Sequence, residues 1–158
     1  MIAATIAFIL SNMPAWLLIA AVVLALVRRP RSAERTLAWM LLLPIGLSGI
    51  WGAIFHLFFP AVAAADIGWA VSPFQFEVGM ADLAIGVVAC MAFWASLPFK
   101  AAAVFVASIF LLGDAIGHVQ QMVNAGNFAS GNAGVPFWTD VLVPALSLIL
   151  LAVAWRRR

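Results

Sequence analysis

The chain has 158 residues, of which 66% are hydrophobic and only 9% charged, with a mean hydropathy of +1.15. An ordinary soluble domain is roughly half apolar and a quarter charged, so a soluble fold is excluded. Eight Lys and Arg against six Asp and Glu leave a net charge of +2 in three short basic clusters, which gives nucleic-acid binding no support, and a single cysteine, Cys90, excludes a disulfide framework or a cysteine-rich metal site.

Crossing a ~30 Å hydrocarbon core takes about 20 apolar residues in a helix. The sequence predicts an all-α integral membrane bundle of five transmembrane helices in one domain, over 3–27, 36–59, 73–96, 101–123 and 137–155. The first span opens on Met-Ile-Ala-Ala-Thr without a basic residue and is followed by arginines, the pattern of a retained helix and not of a cleaved signal. Residues 28–35 are too charged for lipid, and Phe58-Phe59-Pro60 ends the second span. The linker 60–72 is apolar for a loop and predicts an interfacial half-helix lying over the mouth of the bundle. At Ser72-Pro73-Phe74-Gln75 the order of Ser, Pro and Gln predicts a capping box, with Ser72 as N-cap. Leu97-Pro98 divides the third span from the fourth, and the Gly- and Asn-rich stretch 124–136 reads as a loop or helix C-cap. Pro14, Pro44 and Pro144 fall inside the first, second and fifth spans and predict kinks.

Five spans put all eight basic residues (Arg28, Arg29, Arg31, Arg35, Lys100, Arg156, Arg157 and Arg158) on one side, and linkers 60–72 and 124–136 contain none. Lys and Arg of short loops are retained in the cytoplasm, so the N-terminus is expected outside and the C-terminus inside a bacterial inner membrane. Four or six spans would divide the charges between the faces. Trp69 and Trp138 are expected at the outer boundary, Trp39, Trp94 and Trp155 at the inner one, and Trp16 and Trp51 in packing roles. Small residues that let helices approach recur at i, i+4 as Ser48, Gly52, His56; Asp82, Gly86, Cys90; and Gly113 with Gly117, each stripe expected to meet a helix of the same chain.

Ionisable residues inside a span are costly and mark functional positions by default. Counted at about 1.5 Å per residue from the outer end of each span, His56, Glu77, His118 and Asp140 lie at about 5–8 Å, and Asn12, Asp82 and Asp114 at about 13–14 Å. All fall in the outer half, so a site would open outward. Helix dipoles alone favour the shallow tier, where a structural cap competes with a ligand role. The deep carboxylates Asp82 and Asp114 escape that account and are expected to share a proton, bond Asn12 or hold a cation. The ligand-binding candidates are Asn12, Gln75, Glu77, Asp82, Asp114, His118, Gln121 and Asp140, with no catalytic residue assigned. Asp114, His118 and Gln121 share a helical face, and with Glu77 and His56 would make a His/carboxylate set suited to Zn or Fe in a metal-dependent membrane enzyme or redox-associated protein. A proton-coupled carrier is disfavoured, because no ionisable residue continues the path inward and no inverted repeat is visible. The leading expectation is binding of a small ligand, a lipid or a partner subunit beneath a polar lid, with the lipid bilayer as the constant partner.

Two segments carry a resemblance: Ile67-Gly68-Trp69 running into Ser72-Pro73-Phe74-Gln75-Phe76-Glu77-Val78-Gly79, and Gly117-His118 running through Gln121, Gly126-Asn127 and Gly131-Asn132-Ala133-Gly134. Through them the chain resembles an uncharacterised family, a domain of unknown function found in small polytopic prokaryotic membrane proteins. The resemblance covers nearly the whole chain and implies no activity. By position it singles out Ser72, Gln75, Glu77, His118, Gln121, Asn127 and Asn132.

Overall fold

The computed structural model describes residues 1–157, leaving aside the side chains of residues 3, 4 and 7; position 158, the last of the basic residues counted above, lies outside the described residues. Regular structure among them is helical throughout. Among the described residues four helices are long and apolar enough to cross a membrane: Ala33–Phe58, Phe74–Ala92, Leu97–Ala125 and Ser130–Arg156.

The first predicted span is divided. Helix α1 (Ile2–Ser11) stops at Asn12, and α2 (Met13–Val27) starts afresh with Pro14 in its first turn. A proline there needs no N–H partner, and the Asn12 side chain donates back to Phe8 O at 2.8 Å, closing the turn before it. The expected kink is therefore a break, and α2 by itself is a 15-residue apolar helix, shorter than the four above.

The second predicted span is a continuous rod in three parts: α3 (Ala33–Met40), a π-helical segment (Leu41–Leu47) and α4 (Ser48–Phe58). Ser32 caps it, its hydroxyl accepting from Arg35 N at 3.1 Å. Pro44 cannot donate to the preceding turn, and the backbone widens around it until the Ser48 N–H reaches Leu43 O. The kink predicted at Pro44 thus takes the form of a π turn.

Helix α5 (Pro60–Ile67) forms where the half-helix was expected and ends on Gly68 in the left-handed region at φ 76°. Before α6 (Phe74–Ala92) the capping box does not form. Pro73 is the N-cap, without a side-chain bond, and the N–H groups of Gln75 and Phe76 bond Ser72 O and Pro73 O at 3.1 Å each. A tight turn satisfies those donors, which leaves the Gln75 side chain available for another partner. Helix α7 (Leu97–Ala125) is closed by Gly126 at φ 61°, and the short α8 (Ser130–Ala133) leads into α9 (Val135–Arg156), which carries a buried Pro144 without breaking.

Because the helices alternate in direction, the described basic residues gather at one end, the arginine end; α5, α8 and the linkers around them form the other, the lid end. The dry core lies towards the arginine end and includes Leu37, Met40, Leu41, Leu97, Val104, Val143 and Leu151. Lys100, only 5% exposed, pairs there with Glu34 at 3.7 Å and bonds Ala95 O. Arg35 lies over the rings of Trp39 and Phe93 at 5.9 and 5.3 Å, and those two rings pack edge to face at 4.8 Å. Trp39, partly buried, thus packs against Arg35 and Phe93 at the arginine end.

Alpha-6 packs along α4 and the π segment, and α7 along α9. Glycines make the first contact close: a Cβ added to Gly86 would stand 2.8 Å from Gly46 O and 2.9 Å from Ile50 N. Gly113 and Gly117 contradict the expectation made for them, since an added Cβ would meet nothing within 4 Å at either position. The contacts of α7 run along other faces of the helix. Gly113→Ala and Gly117→Ala should each therefore raise stability by up to about 1 kcal/mol through helix propensity alone, read as the thermal midpoint in detergent.

Candidate functional site

Below α5 the helices diverge around a cavity of about 450 Å³. Its walls come from every long helix. Trp51, Gly52, Phe55 and His56 of α4 face Asp114 and His118 of α7, with Asp82 of α6 and Asp140 of α9 completing the ring. Pro44 and Ile45 of the π turn form part of the lining, and Leu10, Ser11 and Pro14, astride the α1–α2 break, line one side. Val62, Ala63, Asp66 and Ile67 of α5 also face it; their i, i+1, i+4, i+5 spacing is one face of a helix.

The chemistry is built by helical register. Asp114 and His118 stand one turn apart on α7, and Asp82 fits against Gly52, where an added Cβ would lie 3.0 Å from Asp82 Oδ2. His118, 8% exposed, is held from both sides. Its Nδ1 donates to Asn132 Oδ1 at 2.8 Å, while its Nε2 faces Asp140 Oδ2 at 3.5 Å. With the Nδ1 proton committed to Asn132, Nε2 is the ring nitrogen left to face the carboxylate. His56 Nδ1 donates to Gln75 Oε1 at 2.6 Å, which orients its ring in the same way.

The lid is latched by two asparagines. Asn132, fully buried, donates from Nδ2 to His118 O at 3.2 Å and to Asn127 O at 2.9 Å. Asn127 donates to Ile67 O at 2.9 Å, at the C-terminus of α5, and its Oδ1 accepts from Ala129 N at 3.1 Å. The Trp69 ring stands 6.1 Å from the His118 ring. The two segments singled out in the sequence, far apart along the chain, thus meet over one histidine. Asp66, on the same lid, has burial pushing its carboxyl above the usual carboxylate value.

Of the predicted ligand-binding residues, Asp82, Asp114, His118 and Asp140 line the cavity. Gln75 stands behind His56 as its partner. Asn12 is spent on the helix break, and Gln121 contributes its backbone carbonyl to Asn127 N at the end of α7. Glu77 is exposed and lies off the cavity. Two residues beyond Gln75, it is carried about 200° around the helix, onto the opposite face.

That rotation also undoes the proposed metal set. His56, Glu77, Asp114 and His118 do not converge, and among the described residues no three His, Cys, Asp or Glu side chains are near enough to hold one metal ion. Nor, among the described residues, does any hydroxyl or thiol bond either histidine; the Thr139 hydroxyl donates to Val135 O and Pro136 O. The arrangement sets four carboxylates and two histidines around a largely apolar space, with His118 Nε2 facing Asp140.

Sequence reasoning passed over Asp66, Trp51, Phe55 and Phe110. Asp66 was hidden by its place in a linker, although the one-face spacing of Val62, Ala63, Asp66 and Ile67 was a legible signal. The aromatic residues lacked a signal, because in an apolar helix a lining aromatic and a packing aromatic have the same periodicity.

Fold and site together define a bundle of long apolar helices enclosing a lidded acidic cavity. The chain belongs to DUF6790, a family of unknown function whose model matches residues 7–158. No curated protein and no solved structure matches it.

Proposed function

We propose that this protein is a five-span bacterial inner-membrane protein, N-terminus outside and C-terminus in the cytoplasm, that binds a small, largely apolar ligand in its outer half. The cavity of about 450 Å³ carries the reading, being of a size and mixed lining suited to a small molecule. The α1–α2 pair supplies the fifth crossing: together they span 2–27, and a break at depth is tolerated where it borders a cavity. The clustering of basic residues at one end supports the orientation.

The orientation has a direct test. In a Cys90→Ala background, single cysteines at Trp69 or Ser130 should react with a membrane-impermeant maleimide in spheroplasts, and cysteines at Arg31 or Arg157 only after lysis. The reverse pattern would overturn the orientation. The ligand reading is tested by mass spectrometry of small molecules released from the purified protein. Gly52→Leu extends a side chain into the cavity, past Asp82 as its near neighbour. A compound retained by the wild type and lost in a folded Gly52→Leu variant is expected; identical extracts would count against the cavity as its seat.

A further inference from the structure

We propose that the ligand of this cavity is an organic monocation, an ammonium head carried on an apolar body. The inference rests on the ligand-binding reading above and adds the charge of the guest. Asp66, Asp82, Asp114 and Asp140 all line the cavity, and no Lys or Arg does. The basic residues are at the far end, where Lys100 already holds Glu34. One carboxylate, Asp140, has His118 opposite it. Asp114, one turn from His118 on α7, shares the influence of that imidazole, while Asp66 and Asp82 line the space with no Lys or Arg among the described lining residues, an arrangement that a positive guest would complement.

The walls select the kind of cation. A metal ion needs ligands drawn to one point, whereas these carboxylates are spread around the cavity, with no three metal-ligating side chains convergent among the described residues. A diffuse ammonium tolerates such spread, and aromatic faces suit it. Trp51 and Phe55 both line the space, their rings 4.9 Å apart and tilted, with Phe110 also lining it. Aromatic faces beside carboxylates are the usual recognition chemistry for quaternary and alkylated ammonium groups. Ser48, also on the wall, has a buried hydroxyl without a hydrogen-bond partner. The rest of the lining is apolar and matches an apolar body.

The test compares two probes of one shape. Benzyltrimethylammonium and its uncharged isostere neopentylbenzene are measured by equilibrium dialysis against the protein in nanodiscs, with empty discs subtracted. The cation should bind at least about tenfold more tightly than the isostere. The Asp82→Asn/Asp114→Asn double variant should narrow that preference, and Gly52→Leu should weaken both probes. Equal binding of the two probes by the wild type would overturn the charge assignment and leave the cavity reading standing. Binding of neither, or binding that Gly52→Leu leaves untouched, would overturn the cavity reading and this inference with it. The wild-type comparison needs no variant to fold.

Discussion

Replacing Asn132 with leucine should cost about 3–5 kcal/mol and open the lid. Leucine keeps the branched skeleton of asparagine but carries bulkier methyls, so lost hydrogen bonds and some overpacking act together. Three hydrogen bonds disappear together: the acceptor for His118 Nδ1 and the donors to His118 O and Asn127 O. Asn132 is fully buried, so those bonds have no water to replace them. A buried polar group left unpaired costs about 1–3 kcal/mol, which sets the range. His118, no longer oriented, would turn away from Asp140, and the linker after α7 would lose its hold on α5. The checks are a fall in thermal midpoint and faster amide exchange confined to 60–69 and 126–134. Asn127→Ala is the graded comparison: Asn127 is less buried, and about 1–2 kcal/mol is expected. Asn132→Leu within 1 kcal/mol of wild type, with unchanged exchange, would show that the lid is held by something else.

The same latch shows how far the sequence could be read. The resemblance pointed to His118, Asn127 and Asn132 by position, but what they do depends on a partner some 60 residues away: Asn127 bonds Ile67 O, and a bond to a backbone carbonyl leaves no mark on residue type. Helix existence was legible because long apolar runs admit little else in a membrane, and α5 was legible from a linker too apolar to be solvated. The break at Asn12 was not. Pro14 suggests a kink or a start equally well, and the choice was made by Asn12 closing the preceding turn. Gln75 was read as a capping residue, yet a backbone turn satisfied the donors and the side chain went to His56. Depth was a good guide to Asp82 and Asp114, whereas Glu77 shows its limit: the right height on the wrong face.

Gly86→Ala should lower stability by about 2–4 kcal/mol, although alanine is the better helix former. The new methyl would stand 2.8 Å from Gly46 O and 2.9 Å from Ile50 N, both backbone atoms that cannot swing aside. The helices must part instead, by enough to restore a normal contact of about 3.5 Å. Parting α6 from the π turn also moves Asp82, seated on Gly52 one turn along α6 from Gly86, so the damage reaches the cavity wall. The prediction is therefore double: a lower thermal midpoint, and weaker retention of whatever the wild type carries in the cavity. Gly113→Ala is the control, because the same methyl there meets nothing within 4 Å and should act only through propensity. Opposite signs for one substitution at two glycines would separate a packing contact from an open helix face. If Gly86→Ala proved as harmless as Gly113→Ala, the close seat of α6 on the π turn would be wrong, and with it the placement of Asp82 in the site.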